Sequence, residues 1–308
     1  MAAAVFISLF PIALLIGLGH VLARSGFIAP AFWPQAERLA YFVLLPALFF
    51  SALANADFTG VPVLAIAGVL IAGLLGAALL LVLVQEVSGQ DGAAFTSVFQ
   101  GSVRFNNYVG LTAATALFGP AALGIAALAN AVIVPTVNIL SILVFSRYGT
   151  ARAGLGATVK RILVNPLVLS CLGGFAMQAT GLPLPPGLDG GLRALGQAAL
   201  PIGLLCVGAA LDWSALRTGT RPVALASLAK FGLLPVLTFA LCLWAGLGGT
   251  AALVVMLFQC LPTASSSYVL ARQLGGDAPL MAGIITFQTI AAFATMPLTL
   301  ILAARLLG

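Results

Sequence analysis

Residues 61–84 carry no charged side chain, and apolar stretches of similar length recur from end to end of this 308-residue chain. A helix needs about 20 mostly apolar residues to cross a bilayer, and these runs supply them. Hydrophobic residues make up 62% of the chain and charged ones 6%, with a mean hydropathy of +1.17. Lipid, rather than water, is therefore the solvent for most of the surface, and the chain reads as an all-α polytopic membrane protein. Its length leaves room for about ten spans.

Breaks at Gly, Pro and charged residues place helices at roughly 5–23, 35–56, 61–84, 95–118, 123–146, 159–180, 191–211, 222–245, 250–273 and 279–305. The first run, from Val5 to Ala23, has no basic segment before it and is long enough to span, so it is read as a helix and not as a signal peptide. The longest polar connection, "SRYGTARAGLGATVKR" at 146–161, lies in the middle. All four cysteines (Cys171, Cys206, Cys242, Cys260) fall inside predicted spans without Cys-x-x-Cys spacing, which makes them small core residues rather than metal ligands or disulfides.

The chain matches itself. A shift of 155 residues sets Pro11 on Pro166, Gly19 on Gly174, Gly26 on Gly181, Pro46 on Pro201 and Asp57 on Asp212. At a shift of 156, Gly119 falls on Gly275. These identities lie at helix kinks and ends, where Pro, Gly and Asp have structural work, so the chain reads as a duplication with repeats at 1–148 and 156–308. Five helices per copy is an odd number, so the second copy enters the membrane from the opposite side, giving a 5+5 inverted repeat.

Charge supports that arrangement. Arg24, Arg38, Arg147, Arg152, Lys160, Arg161, Arg217, Arg221 and Arg272 lie in or beside the loops that follow helices 1, 3, 5, 7 and 9. Arg193 and Arg305 alone lie on the other side. The positive-inside bias makes the crowded side cytoplasmic and puts both termini on the extracytoplasmic side. It also accounts for the net charge of +6 without nucleic acid as a partner.

Polar residues at membrane depth carry the functional signal. If the fourth helix began after Arg104, residues 105–118 would span only about 21 Å of a core about 30 Å thick. Arg104, Asn106, Asn107 and Tyr108 are therefore expected near mid-membrane, facing a cavity or a partner. The matching stretch of helix 9 is "QCLPTASSSYVLARQLGG", in which Pro262 breaks the backbone ladder and Thr263, Ser265, Ser266, Ser267 and Tyr268 follow. In helix 4, Asn106-Asn107 and Gly110 are expected to unwind the chain. Broken helices at matching positions of an inverted repeat point to a midplane binding site.

The ends of such half-helices suit an anion. Arg104 and Lys230 are the cations at membrane depth, and no acid is expected there to oppose them. Arg104 either faces the ligand or clamps the carbonyls of the opposite broken helix. Lys230 either faces the cavity or snorkels to the cytoplasmic surface. Asn130, Asn138 and Gln288 are read as helix-to-helix glue, with Asn165 and Gln259 as further support. His20, near a helix end, has no visible partner in the sequence.

"RFNNYVGL" followed by "ALFG", "KRILVNP", and "LPTASSSYVLARQLGGDAPLMAGIITFQTIAAFATMPLTL" together resemble the auxin efflux carrier family, which includes plant PIN-type auxin carriers and bacterial malonate and malate permeases. The resemblance implies the ten-helix inverted fold shared with sodium/bile-acid symporters and sodium/proton antiporters. It implies a scaffold at 1–57 plus 158–213, often dimeric, and a moving transport unit at 61–147 plus 221–305, with helices 4 and 9 crossing at the substrate. The Asn-Pro-Asn-Thr-Tyr motif of plant carriers is reduced here to Asn165-Pro166, and their acidic residue in helix 3 has no counterpart, which favours a small organic acid over auxin.

The expected function is secondary transport of a malonate- or malate-like carboxylate by an elevator motion. Arg104, Asn106, Asn107, Tyr108, Pro262, Thr263, Ser265 and Ser266 form the expected site, and Lys230 supports it. No cofactor or metal is expected, and the coupling ion is sodium, a proton or none. The expected partners are the anion, the bilayer of a bacterial inner membrane and a second copy met through the scaffold. An auxin-like monocarboxylate carrier, or a channel or sensor on the same fold, is the alternative. An intramembrane hydrolase pairing Ser265 or Ser266 with Lys230 lacks the glycine elbow around a nucleophile, so no enzyme is expected.

Overall fold

The computed structural model describes residues 2–88, 91–149, 164–217 and 219–307. The described elements are helical throughout, and the protein is an all-helical, polytopic, integral membrane protein. The helices are α1 (Ala2–Arg24), α2 (Phe32–Leu39), α3 (Leu45–Ala54), α4 (Val63–Ser88), α5 (Gly92–Val103), α6 (Asn107–Phe118) and α7 (Ala122–Tyr148), followed by α8 (Pro166–Thr180), α9 (Pro186–Ala209), α10 (Thr220–Leu228), α11 (Leu234–Trp244), α12 (Gly249–Gln259), α13 (Ser266–Leu274) and α14 (Ala278–Leu307). Wide π-turns, Ala40–Leu44 and Ala229–Leu233, join α2 to α3 and α10 to α11. Each precedes a proline, Pro46 or Pro235, whose ring crowds the carbonyl four residues back. The widened turn absorbs that crowding, so both helices continue across it.

Among the described residues, seven segments are long and apolar enough to cross a membrane. Helix 6 is described only from Pro166, and the basic residues Arg152, Lys160 and Arg161 lie outside the described residues. The expected helix 7 begins five residues earlier than its apolar pattern suggests, because Pro186 can occupy the first helical turn, where a missing N–H costs nothing. Helices 4 and 9 are each two half-helices, α5–α6 and α12–α13.

Contacts repeat in the register of the self-match. A methyl on Gly19 would stand 2.1 Å from the Leu205 carbonyl oxygen, and one on Gly174 would stand 2.9 Å from that of Phe50. Both members of the second contact are 155 positions from those of the first, with the order exchanged. Only glycine lets α1 approach α9, and α8 approach α3, this closely. Asp57 accepts a bond from the Thr59 N–H at 2.9 Å, and Asp212 accepts one from the Ser214 N–H, also at 2.9 Å. Hydrogen bonds from Thr59 and Ser214, their hydroxyls first, hold these loop carboxyls below the ordinary range.

The cysteines are free and buried, as their apolar surroundings predict. His20 does have a partner: the Trp213 indole donates to its Nε2 at 2.9 Å, from a loop 193 residues away that no local pattern could bring to it.

Candidate functional site

The two broken helices meet at their breaks. α5 ends at Val103, and Arg104 is extended at φ −76°, ψ 160°. Asn106 then restarts the helix, its Oδ1 accepting from the Tyr108 N–H at 3.1 Å and the Val109 N–H at 3.2 Å. This N-cap satisfies donors that lipid cannot. The Asn106 N–H donates to the Pro262 carbonyl oxygen at 2.9 Å, so the two breaks are bonded backbone to backbone. Gly110, expected to unwind helix 4, lies inside α6. Its role is close approach, since a methyl there would stand 2.6 Å from Leu261 Cδ1.

Gln288 of α14 spans both breaks. Its Oε1 accepts from the Thr263 N–H at 3.1 Å, and its Nε2 donates to the Gly101 carbonyl oxygen at 3.0 Å. Thr263 is fully buried, its hydroxyl 3.2 Å from that of Ser267. The crossover is thus fixed by its own polar network, which takes up Asn106 Oδ1, the Thr263 hydroxyl and both amide atoms of Gln288.

Arg104 reaches from one break to the other. Its Nη1 donates to Asn138 Oδ1 of α7 at 2.9 Å and its Nη2 to Ser266 Oγ at 3.4 Å, both side-chain oxygens and not the carbonyls of a clamp. Among the described residues its Nε and the Oδ1 of Asn107 have no hydrogen-bond partner. Arg104, Asn107, Asn138, Ser266 and Tyr41 line a cavity of about 40 Å3 with apolar walls that include Phe105, Val137 and Leu167. Asn165 caps α8 through Oδ1 and donates from Nδ2 to the Tyr41 hydroxyl at 3.2 Å, orienting that ring at the cavity wall.

The other candidates lie outside this cavity. The Tyr108 ring packs on Gly203 of α9, and Pro262 faces an apolar pocket beside Ile12 and Ile16. Asn130 turns back on its own helix, its Nδ2 donating to the Ala126 carbonyl oxygen at 3.0 Å. Gln259 is buried, with Nε2 3.4 Å from the Leu70 carbonyl oxygen. Lys230 does not snorkel: it is fully buried, and its Nζ has no hydrogen-bond partner among the described residues. The wide turn Ala229–Leu233 changes the helical phase that a regular spacing would have given it.

Two residues of the site lacked any earlier signal. Tyr41 sits in the π-turn, where helical periodicity fails. Glu37 contradicts the expectation that no acid stands near the crossover: its Oε1 accepts from the Ser265 hydroxyl at 2.6 Å. The helix containing it begins at Phe32 and not at residue 35, which carries Glu37 almost one turn further along the helix. A larger crevice of about 890 Å3 separates α3 and α9 from α6 and α7, with Ser51, Asn55, Asp57, Thr115, Arg193 and Gln197 among its lining groups.

Residues 199–308 match the Sodium Bile acid symporter family. The chain is 36% identical to human sodium/bile acid cotransporter 4 over 116 residues, 37% of this chain and 26% of that protein. The mouse and rat proteins of the same name are each 35% identical over 121 residues, 38% of this chain and 28% of theirs. The matches thus span about a quarter of the length of these relatives. They overturn the resemblance to auxin efflux carriers. Its most specific stretch, residues 261–300, lies inside the matched region, and a proline followed by small hydroxyls is one way to satisfy a helix break at membrane depth rather than the mark of one family. The family match is to symporters and covers the last 110 residues of the chain.

Proposed function

We propose that the chain is a secondary transporter that carries a small organic carboxylate of malonate or malate size, bound at the crossing of the two broken helices. One observation carries the reading: an arginine at membrane depth lines a cavity between two mutually bonded breaks, and its Nε has no hydrogen-bond partner among the described residues. A charge in that position is costly unless it faces a ligand or water. Arg104 supplies the countercharge, Asn107 and Ser266 the neutral donors, and Asn138 with Tyr41 fixes the guanidinium and the wall.

The two halves are taken as an inverted repeat of ten spans, in which α5–α6 and α12–α13 each cross as a broken pair. Contacts shifted by 155 positions support this reading. A scaffold of 1–57 plus 158–213, dimeric in the membrane, would hold a transport unit of 61–147 plus 221–305, with the basic loops cytoplasmic. Alternating access requires the two units to part around the bound anion. Coupling is to sodium, to protons or to neither, with no cofactor.

A second reading follows the relatives' printed name: sodium-driven transport of a bulky amphipathic anion, for which the crevice of about 890 Å3 has room. Proteoliposomes preloaded with unlabelled malonate separate the two. Saturable uptake of labelled malonate by exchange supports the first reading. Uptake of taurocholate with sodium, and none of malonate, replaces it with the second.

A further inference from the structure

The crossover carries its own carboxylate. Glu37 reaches from α2, which packs on α9, to the hydroxyl of Ser265 at the N-terminal end of α13, where a free anion would gain from the half-helix dipole. The residues on either side of Ser265, Ala264 and Ser266, line the Arg104 cavity. Glu37 makes no ion pair among the described residues. The titratable groups that face it are the Cys206 thiol of α9 and the Tyr108 phenol of α6, with Tyr41 next along its own helix and Arg38 exposed. Among the described residues none of the groups facing it is a cation.

We propose that Glu37 is the proton-coupling group of this transporter: its carboxylate holds Ser265 until a substrate carboxylate takes that place, and Glu37 binds a proton as it does so. The inference rests on the transport reading above. Two carboxylates competing for one hydroxyl cannot both stay ionised at low cost. Protonation leaves Glu37 a neutral acid with a weaker hold on Ser265, because a bond to a charged acceptor is about twice as strong as a neutral one. The proton comes from water on the side where substrate enters. It returns to water on the other side when substrate leaves and Glu37 takes back Ser265. Scaffold and transport unit are thereby joined through one bond whose strength depends on the proton.

Labelled malonate in proteoliposomes with the membrane potential clamped at zero is the test. Under an inside-alkaline gradient of one pH unit, one proton per malonate supports up to about tenfold accumulation by the wild type. Glu37→Gln should not accumulate malonate above the outside concentration. It should instead exchange malonate at every pH at the rate the wild type reaches only in acid. Proton-driven accumulation that survives Glu37→Gln overturns the proposal. If that variant does not fold, proton uptake on malonate binding to the wild type in weakly buffered detergent decides the matter: about one proton per malonate supports it, and none overturns it. A wild type that exchanges malonate without proton-driven accumulation refutes the role of Glu37 alone, whereas one without any exchange removes the transport reading as well.

Discussion

Gly203→Ala tests the packing that holds the broken helix in place. A methyl on Gly203 would stand 2.0 Å from Tyr108 Cδ1, 2.3 Å from Cε1 and 2.3 Å from Cγ. Ordinary contact needs about 3.5 Å, so the ring must move by more than about 1 Å. Tyr108 is 7% exposed, and it follows Asn107 in the first turn of α6, so the ring cannot move without pulling on the break. Overpacking of this kind costs about 1–3 kcal/mol, and three overlapping atoms argue for the upper end. Alanine regains about 1 kcal/mol of helix propensity inside α9, leaving a net loss of about 2 kcal/mol. In a Tyr108→Ala background the overlap is gone, and the same change should be neutral or stabilising by up to about 1 kcal/mol. Thermal unfolding of the four proteins in detergent reads the difference as a coupling of about 2–3 kcal/mol. Equal destabilisation by Gly203→Ala in both backgrounds would refute the account of this contact.

Asn106→Ala should cost about 1–2 kcal/mol, because it strips the cap from the N–H groups of Tyr108 and Val109 within the protein interior. Asn106→Asp, which keeps an acceptor, should recover part of that loss in the same unfolding assay. Lys230→Met should raise the unfolding temperature, because it replaces a buried amine that has no hydrogen-bond partner among the described residues by an apolar side chain of similar length. A lower unfolding temperature in that variant would show that Lys230 has a partner that matters for stability.

Much of this arrangement is legible from residue type and spacing. Apolar runs place the membrane spans, and Pro262 with its hydroxyls marks the break in helix 9, where α12 ends at Gln259 and α13 begins at Ser266. Arg104 is placed by length alone, since helix 4 is too short without the residues before it. What escapes is long-range and geometric. Glu37 and Ser265 are 228 residues apart, and their bond depends on where α2 starts. Tyr41 and Lys230 sit in π-turns, where a regular helical period points to the wrong face. The family resemblance failed for a different reason. Proline and small hydroxyls at a break answer to the bilayer, and carriers of different families with broken helices share that demand.

The direct test of an anion site is the charge selectivity that Arg104 confers. Binding of malonate and of its neutral counterpart malonamide to the purified protein is compared for the wild type and Arg104→Gln by calorimetry. Loss of charge-assisted bonds worth about 1.5–3 kcal/mol should weaken malonate by about 10- to 150-fold, while malonamide binding changes by less than about threefold. Equal losses for the two ligands, or unchanged malonate affinity, would contradict the assignment of Arg104 to the substrate.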